Sequence, residues 1–266
     1  MMTHFLFSFF MLITSLVFAA PTPTFELSSQ AGLDLKNVDP RIKEYVKKIP
    51  SSWNFEYEKE GVVVFSKKVE GDSLMAFKGV AIINESILKV LQVLRNVEDS
   101  HLWTPSLRIK EMAEEYDYLN AVTYSITELP WPADPRDSLM HTILKVIPEM
   151  KAMNVYSTSS ELEKYPPVKG IVRAIVHESN FYLYPLGESQ TLMDLDALVD
   201  PKGMIPTSLA NFVQKKWPYN FVTSLEKRTH EVGPDFHPLF IKAVSKIVSK
   251  KVFDKMLSVV PSDKRK

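Results

Sequence analysis

Residues 191–225 read TLMDLDALVDPKGMIPTSLANFVQKKWPYNFVTSL, and two periods meet in them. From Thr191 to Val199 the odd positions Thr191, Met193, Leu195, Ala197 and Val199 share one face, while Asp194 and Asp196 take the other. That is the period of a strand with one face in the core and one in water. After a turn containing Pro201 and Gly203, the apolar residues Ile205, Leu209, Phe212, Val213, Trp217, Phe221 and Leu225 recur at steps of three or four. This predicts one long helix with an apolar stripe, broken or kinked at Pro218. A half-buried strand thus runs straight into a long amphipathic helix.

Upstream, Asp39 and Pro40 open a short helix through Lys48, with an N-cap side chain followed by proline at the first helical position. Three strand patterns follow, at Trp53 to Glu58, Gly61 to Lys67 and Met75 to Ile83. From Glu85 to Trp103 the period is helical. Strand patterns resume at 108–115, 118–127, 136–146, 150–159 and 174–184. Short turns between them argue for antiparallel pairing. The fold class is therefore α+β, a curved antiparallel sheet with a long C-terminal helix.

At the amino end, Phe5 to Phe18 is almost wholly apolar and leads into Val17-Phe18-Ala19. We read residues 1–19 as a signal peptide cleaved after Ala19, since about fourteen apolar residues are short for a ~30 Å hydrocarbon core. Residues 20–38 form a leader, and the localisation expected is exported, periplasmic or secreted. The main domain is expected over 39–230. Residues 231–266 carry Phe240, Val244, Ile247, Val248, Val252 and Met256 among lysines and read as a second, basic amphipathic helix. Its eight Lys or Arg exceed its three Asp by five from Pro234 on. Such a helix either packs on its own domain or makes transient contact with anionic membrane.

Composition removes several classes of function. Thirty-two Lys and Arg balance 32 Asp and Glu, so no cationic field marks a nucleic-acid binder. The chain has no cysteine, hence no disulfide, thiolate metal site, cysteine nucleophile or lipoprotein anchor. Its eight glycines lie eight or more positions apart, excluding GxGxxG, P-loop and GxSxG motifs. No two of the six histidines are closer than His230 and His237, so no HxH or HExxH pair occurs. No cofactor, metal or catalytic residue is expected.

The stretch from Leu198 to Asn211 resembles the Asp-Pro-Gly-Gly-x-Ile-Pro-x-x-Leu-x-Asn segment that opens the last helix of START lipid-binding domains, with Lys202 in place of the second glycine. Trp217-Pro218-Tyr219-Asn220-Phe221 is similar to its continuation. Pro130-Trp131-Pro132 with Arg136-Asp137, Trp103, Trp53, Gly61-Val62 and Lys78-Gly79 also agree, so that the likeness covers roughly 40–228. The resemblance implies a helix-grip fold around an internal hydrophobic tunnel that holds one lipid or other hydrophobic small molecule. The stretch before Trp103 lacks the arginine with which some members grasp phosphocholine, so that specificity is not carried over. The alternatives are an interaction module with a filled core, or a polyketide cyclase-like enzyme of related fold.

Candidate ligand-binding residues are Trp103, Tyr124, Arg136, Met140, Met193, Leu209, Phe212 and Val213. In a strand beginning at Arg136, the set Arg136, Ser138, Met140, Thr142, Leu144 and Val146 shares a face. Arg136 then points into the tunnel to meet a head group or a buried carboxylate, or else forms an ion pair tying the strand to a loop. Asp137 is expected outward, as a surface or loop-capping residue. The last helix is expected to gate the tunnel, hinged near Gly203, Pro206 and Pro218.

Overall fold

The computed structural model describes residues 35–259 apart from 72, 73 and 132. The expected signal peptide and most of the leader lie outside the described residues. Asp39 caps α1 (Pro40–Val46), its carboxylate accepting the Arg41 N–H at 2.8 Å. Strands β1 (Asn54–Lys59), β2 (Val62–Lys68) and β3 (Met75–Ile83) follow, then α2 (Ile87–Arg95) and α3 (Ser100–Trp103). The single helical stretch expected over 85–103 is thus two helices. Asn96 leaves the helical region, and its side-chain oxygen accepts the Asp99 N–H, a local bond that competes with helix continuation.

Seven strands come next: β4 (Leu107–Asp117), β5 (Asn120–Thr127), β6 (Arg136–Ile147), β7 (Ala152–Ser159), β8 (Val172–Arg173), β9 (Ile175–Pro185) and β10 (Thr191–Asp200). They join the first three in one curved sheet of order β1-β2-β3-β10-β9-β7-β6-β5-β4, antiparallel throughout, with the short β8 added parallel to β6. A single helix, α4 (Thr207–Glu231), crosses the inner face. It runs unbroken through Pro218, six residues beyond the expected end. Phe221, Val222 and Leu225 are buried with Val64, Ile83, Leu91, Met193 and Leu195 in the inner core, each such side chain stabilising by about 1.5–3 kcal/mol.

Pro218 sits directly on the sheet because position 79 has no side chain. A Cβ built on Gly79 would lie 2.7 Å from the Pro218 Cβ. Gly79→Ala should therefore lower stability by about 1–3 kcal/mol through overpacking of a rigid ring. Urea unfolding measures this, and an unchanged midpoint would mean that α4 yields without cost.

The outer face corrects one expectation. Asp194 is not wet: it is buried beneath α1, paired with Lys78, and accepts the Tyr45 hydroxyl at 2.9 Å. Lys78 also meets Asp196 at 2.9 Å. The end of the expected leader also belongs to the folded body, since Leu35 and Val38 are buried with Ile42, Val46 and Phe65 in the same outer cluster. Beyond α4 the expected second helix is also two, α5 (Pro238–Val244) and α6 (Lys250–Ser258), because Ser249 is extended and restarts the chain. Phe240, Ala243, Val244, Ile247 and Met256 are buried in the inner core. That face packs on the domain.

Candidate ligand cavity

Between the sheet and the first half of α4 lies a cavity of about 340 Å³. Its wall combines Leu94, Trp103, Met140, Val155, Phe181, Val199, Val213 and Trp217 with a band of hydroxyls. Ser125 bonds Ser138 at 2.9 Å, and Thr142 bonds Ser157 at 2.8 Å. These cross-strand pairs satisfy one another. An aromatic group closes part of the wall, with the Phe221 ring 5.4 Å from Trp103, 5.2 Å from Phe181 and 5.1 Å from Trp217. A second cavity of about 70 Å³ shares Leu94, Lys110, Thr142 and Val155 with the first.

Of the eight candidates, Trp103, Arg136, Met140 and Val213 line the larger cavity. The other four do not, each for a definite reason. Tyr124 lies on the opposite face of β5, stacked on Tyr165 at 4.9 Å and donating to Asp137 at 3.1 Å, while its neighbour Ser125 faces inward. Met193 has the inward register but is fully buried in the core, while Ala197 and Val199 further along β10 reach the cavity. Phe212 is 54% exposed beneath the Lys216 ammonium, and Leu209 is half-buried but lines neither cavity. At 100° per residue, Val213, Gln214 and Trp217 take the cavity-facing arc instead.

Arg136 does tie its strand to a loop, although not through an ion pair. Its guanidinium donates to the backbone carbonyls of Asp134 at 2.5 Å, Pro201 at 2.9 Å and Lys202 at 2.8 Å. It thereby fixes the turn before α4. Burial pulls its pKa down from the ordinary arginine value. In that turn Lys202 adopts φ 49°, the left-handed conformation that glycine takes freely and that costs other residues about 1–2 kcal/mol. Asp200 offsets the strain, accepting the Lys202 N–H at 2.8 Å and pairing with its ammonium at 2.6 Å. Asp137 is not outward on the surface. Its fully buried carboxylate accepts two bonds of 2.8 Å from Arg173, under a satellite core of Leu139, Tyr165 and Ile171.

One lining residue escaped the sequence reading. Lys110 lies at the junction of the two cavities. Burial, and secondarily the like charge of Arg95, push its pKa down to about 8. Strict alternation along β4 gives Leu107 and Lys110 opposite faces. An irregularity between Leu107 and Ile109 shifts the register and turns both inward. Between Ile109 and Glu111 in a strand rich in charge, Lys110 carries no mark of its own in the sequence.

That shift has a sign. The folded-state value of about 8 lies below that of an exposed lysine, so from about pH 8 to 10.5 the unfolded chain binds more protons. The empty protein should gain stability across that window, by on the order of 2 kcal/mol. The other titratable groups lining the two cavities are Arg95, Tyr118, Arg136 and Asp137. Denaturant titrations at pH 7.5 and 10 on wild type and Lys110→Met measure the effect, and equal slopes for the two would refute it.

The antiparallel sheet gripping one long helix over an apolar-walled cavity defines the helix-grip class of fold. The family model for the START domain matches residues 48–234, and the chain belongs to that family. It is 25% identical over 183 residues to "Uncharacterized protein PA1579" of Pseudomonas aeruginosa, covering 66% of this chain and 86% of that protein. It is 28% identical over 166 residues to the mouse START domain-containing protein 10, of whose length the match spans 55%, and 60% of this chain. Among solved structures, human STARD10 aligns with a TM-score of 0.63 at 21% identity, covering 72% of this chain and 78% of that one. A STAR-related lipid transfer protein from Xanthomonas axonopodis aligns with 0.59 at 24% identity, over 67% and 99% of the two chains.

Proposed function

We propose that the protein encloses one lipid or other hydrophobic small molecule in the larger cavity and exchanges it with a membrane by movement of the first half of α4. The observation that carries this reading is the 340 Å³ apolar-walled space beneath that helix. It counts against an interaction module with a filled core. Carrying an alkyl chain through water exposes it at about 0.8 kcal/mol per methylene, so a shuttle must enclose its cargo and then open.

The packing of α4 supports the opening step. Its second half buries Phe221, Val222, Leu225 and Thr229, whereas between Thr207 and Trp217 only Ala210 is buried. Among the described residues no side-chain hydrogen bond caps its start. Weak packing and uncapped N–H groups mark the segment that opens at lowest cost. Trp131, Met204 and Phe212 stand exposed, and their near neighbours Leu129, Pro201 and Val213 line the cavity. These side chains suit transient membrane contact.

We read the protein as a carrier and not an enzyme, and as exported after cleavage near Ala19. Mass spectrometry of an organic extract of the purified protein should find one hydrophobic molecule per chain. Lipid exchange should slow when engineered cysteines cross-link α4 to the sheet. An extract without ligand and a protein that takes up no lipid would overturn the carrier reading, and equal exchange in oxidised and reduced protein would overturn the gate. N-terminal sequencing that found Met1 on a membrane-bound product would overturn export.

A further inference from the structure

The cations of this molecule are not all treated alike. Lys78 meets two carboxylates, Arg173 binds Asp137, Arg136 donates to three carbonyls, and Arg95 pairs with Glu115 at 3.0 Å. Lys110 alone among those that line the cavities has no hydrogen-bond or ion-pair partner among the described residues. Asp137 also belongs to the wall of the larger cavity, but its carboxylate turns to the opposite face of the sheet, where Arg173 and Tyr124 occupy it. An ammonium turned into an apolar cavity without a counter-charge is costly to keep. The strand irregularity that aims it inward also sets it there against the regular alternation of β4.

Two further donors accompany it. The Trp103 indole N–H is buried without an acceptor among the described residues and belongs to a residue lining the same cavity. The Thr123 hydroxyl, likewise buried and unpartnered, belongs to a residue lining the smaller one. One positive charge and two neutral donors call for one negative charge rich in acceptor lone pairs. Arg136 is already spent on carbonyls, so among the described residues lining the cavities no second free cation is at hand for a dianion. The apolar wall of Met140, Val155 and Phe181 requires a tail. A volume of 340 Å³ lies at the small end of ligand pockets, roughly 300–1,000 Å³, and suits one chain better than two.

Resting on the carrier reading above, we propose that Lys110 anchors the head group of a single-chain anionic amphiphile, a long-chain carboxylate, whose tail fills the larger cavity. The ammonium donates to the carboxylate, and Trp103 supplies a second N–H.

The test titrates the delipidated full chain with palmitate, hexadecanol and hexadecyl phosphate, as wild type, Lys110→Met and Lys110→Arg. Lys110→Met should weaken palmitate binding by about 10-fold or more, leave hexadecanol within about twofold, and retain cooperative thermal unfolding. Lys110→Arg should keep most of the palmitate affinity. Equal palmitate binding by Lys110→Met and wild type would overturn the proposal, as would an equal loss of hexadecanol. Tighter binding of hexadecyl phosphate than of palmitate, lost in Lys110→Met, would overturn the choice of a carboxylate. If wild type binds hexadecanol and palmitate equally, the carrier reading stands and the anchor fails. If it binds none of the three, both fail.

Discussion

Val213→Asp abolishes retention of a hydrophobic ligand, lowering affinity by about 100-fold or more, equivalent to roughly 2.7 kcal/mol, while Phe212→Asp leaves it unchanged. Val213 lines the cavity, so an aspartate there places a carboxylate against an alkyl chain with no water to solvate it. Phe212, one position earlier, is 54% exposed, and an aspartate in its place stands four residues before Lys216 in favourable helical pairing. The contrast separates lining from proximity in sequence. Displacement of a fluorescent fatty acid measures both variants. Retention by Val213→Asp, or loss by Phe212→Asp, would place the cargo on another face of the helix.

Lys78→Ala destabilises the fold by about 3–5 kcal/mol without altering the cavity wall. The Lys78 and Asp194 side chains are 7% and 8% exposed, and Asp194 also holds Tyr45. Burial opposes the Lys78 charge, but Asp194 and Asp196 outweigh it and raise its pKa above the ordinary value. Removing the ammonium leaves a buried carboxylate beside a second one. The double replacement Lys78→Met with Asp194→Leu should recover part of the loss, because it removes the more deeply buried carboxylate and leaves only the more exposed Asp196 without its lysine. Guanidinium unfolding of the single and double variants checks this. A cost below about 1 kcal/mol for Lys78→Ala would show that water reaches the pair.

Strand positions read from the sequence coincide with β1 to β7, β9 and β10 to within two residues, while the two-residue β8 was not read. What alternation misread was the facing of residues where the ladder is irregular. In β1 the register shifts between Phe55 and Tyr57, so Phe55 packs outward on Phe65 while Tyr57 joins the inner core. In β4 the same kind of shift turned Lys110 inward. The inward face of β6 was legible, and with it Met140. Tyr124 was not, since both faces of β5 are covered and its alternation carries no mark of which side holds the cavity.

The sequence by itself determined the strand-to-helix order, the α+β class, the Asp39 cap, the stripe of α4 and the likeness to START domains, all of which depend on local periodicity and contiguous motifs. Tertiary structure decided which apolar surface stays empty. Leu209, Phe212 and Val213 are equally apolar in the chain, and only the position of the sheet distinguishes them. It decided also that Asp194 and Asp137 are buried, since α1 and the segment around Tyr165 cover faces that alternation alone would leave to water. Charge without a partner is a property of three-dimensional neighbours, and Lys110 acquires it only when β4 closes against β5 beside α2 and α3.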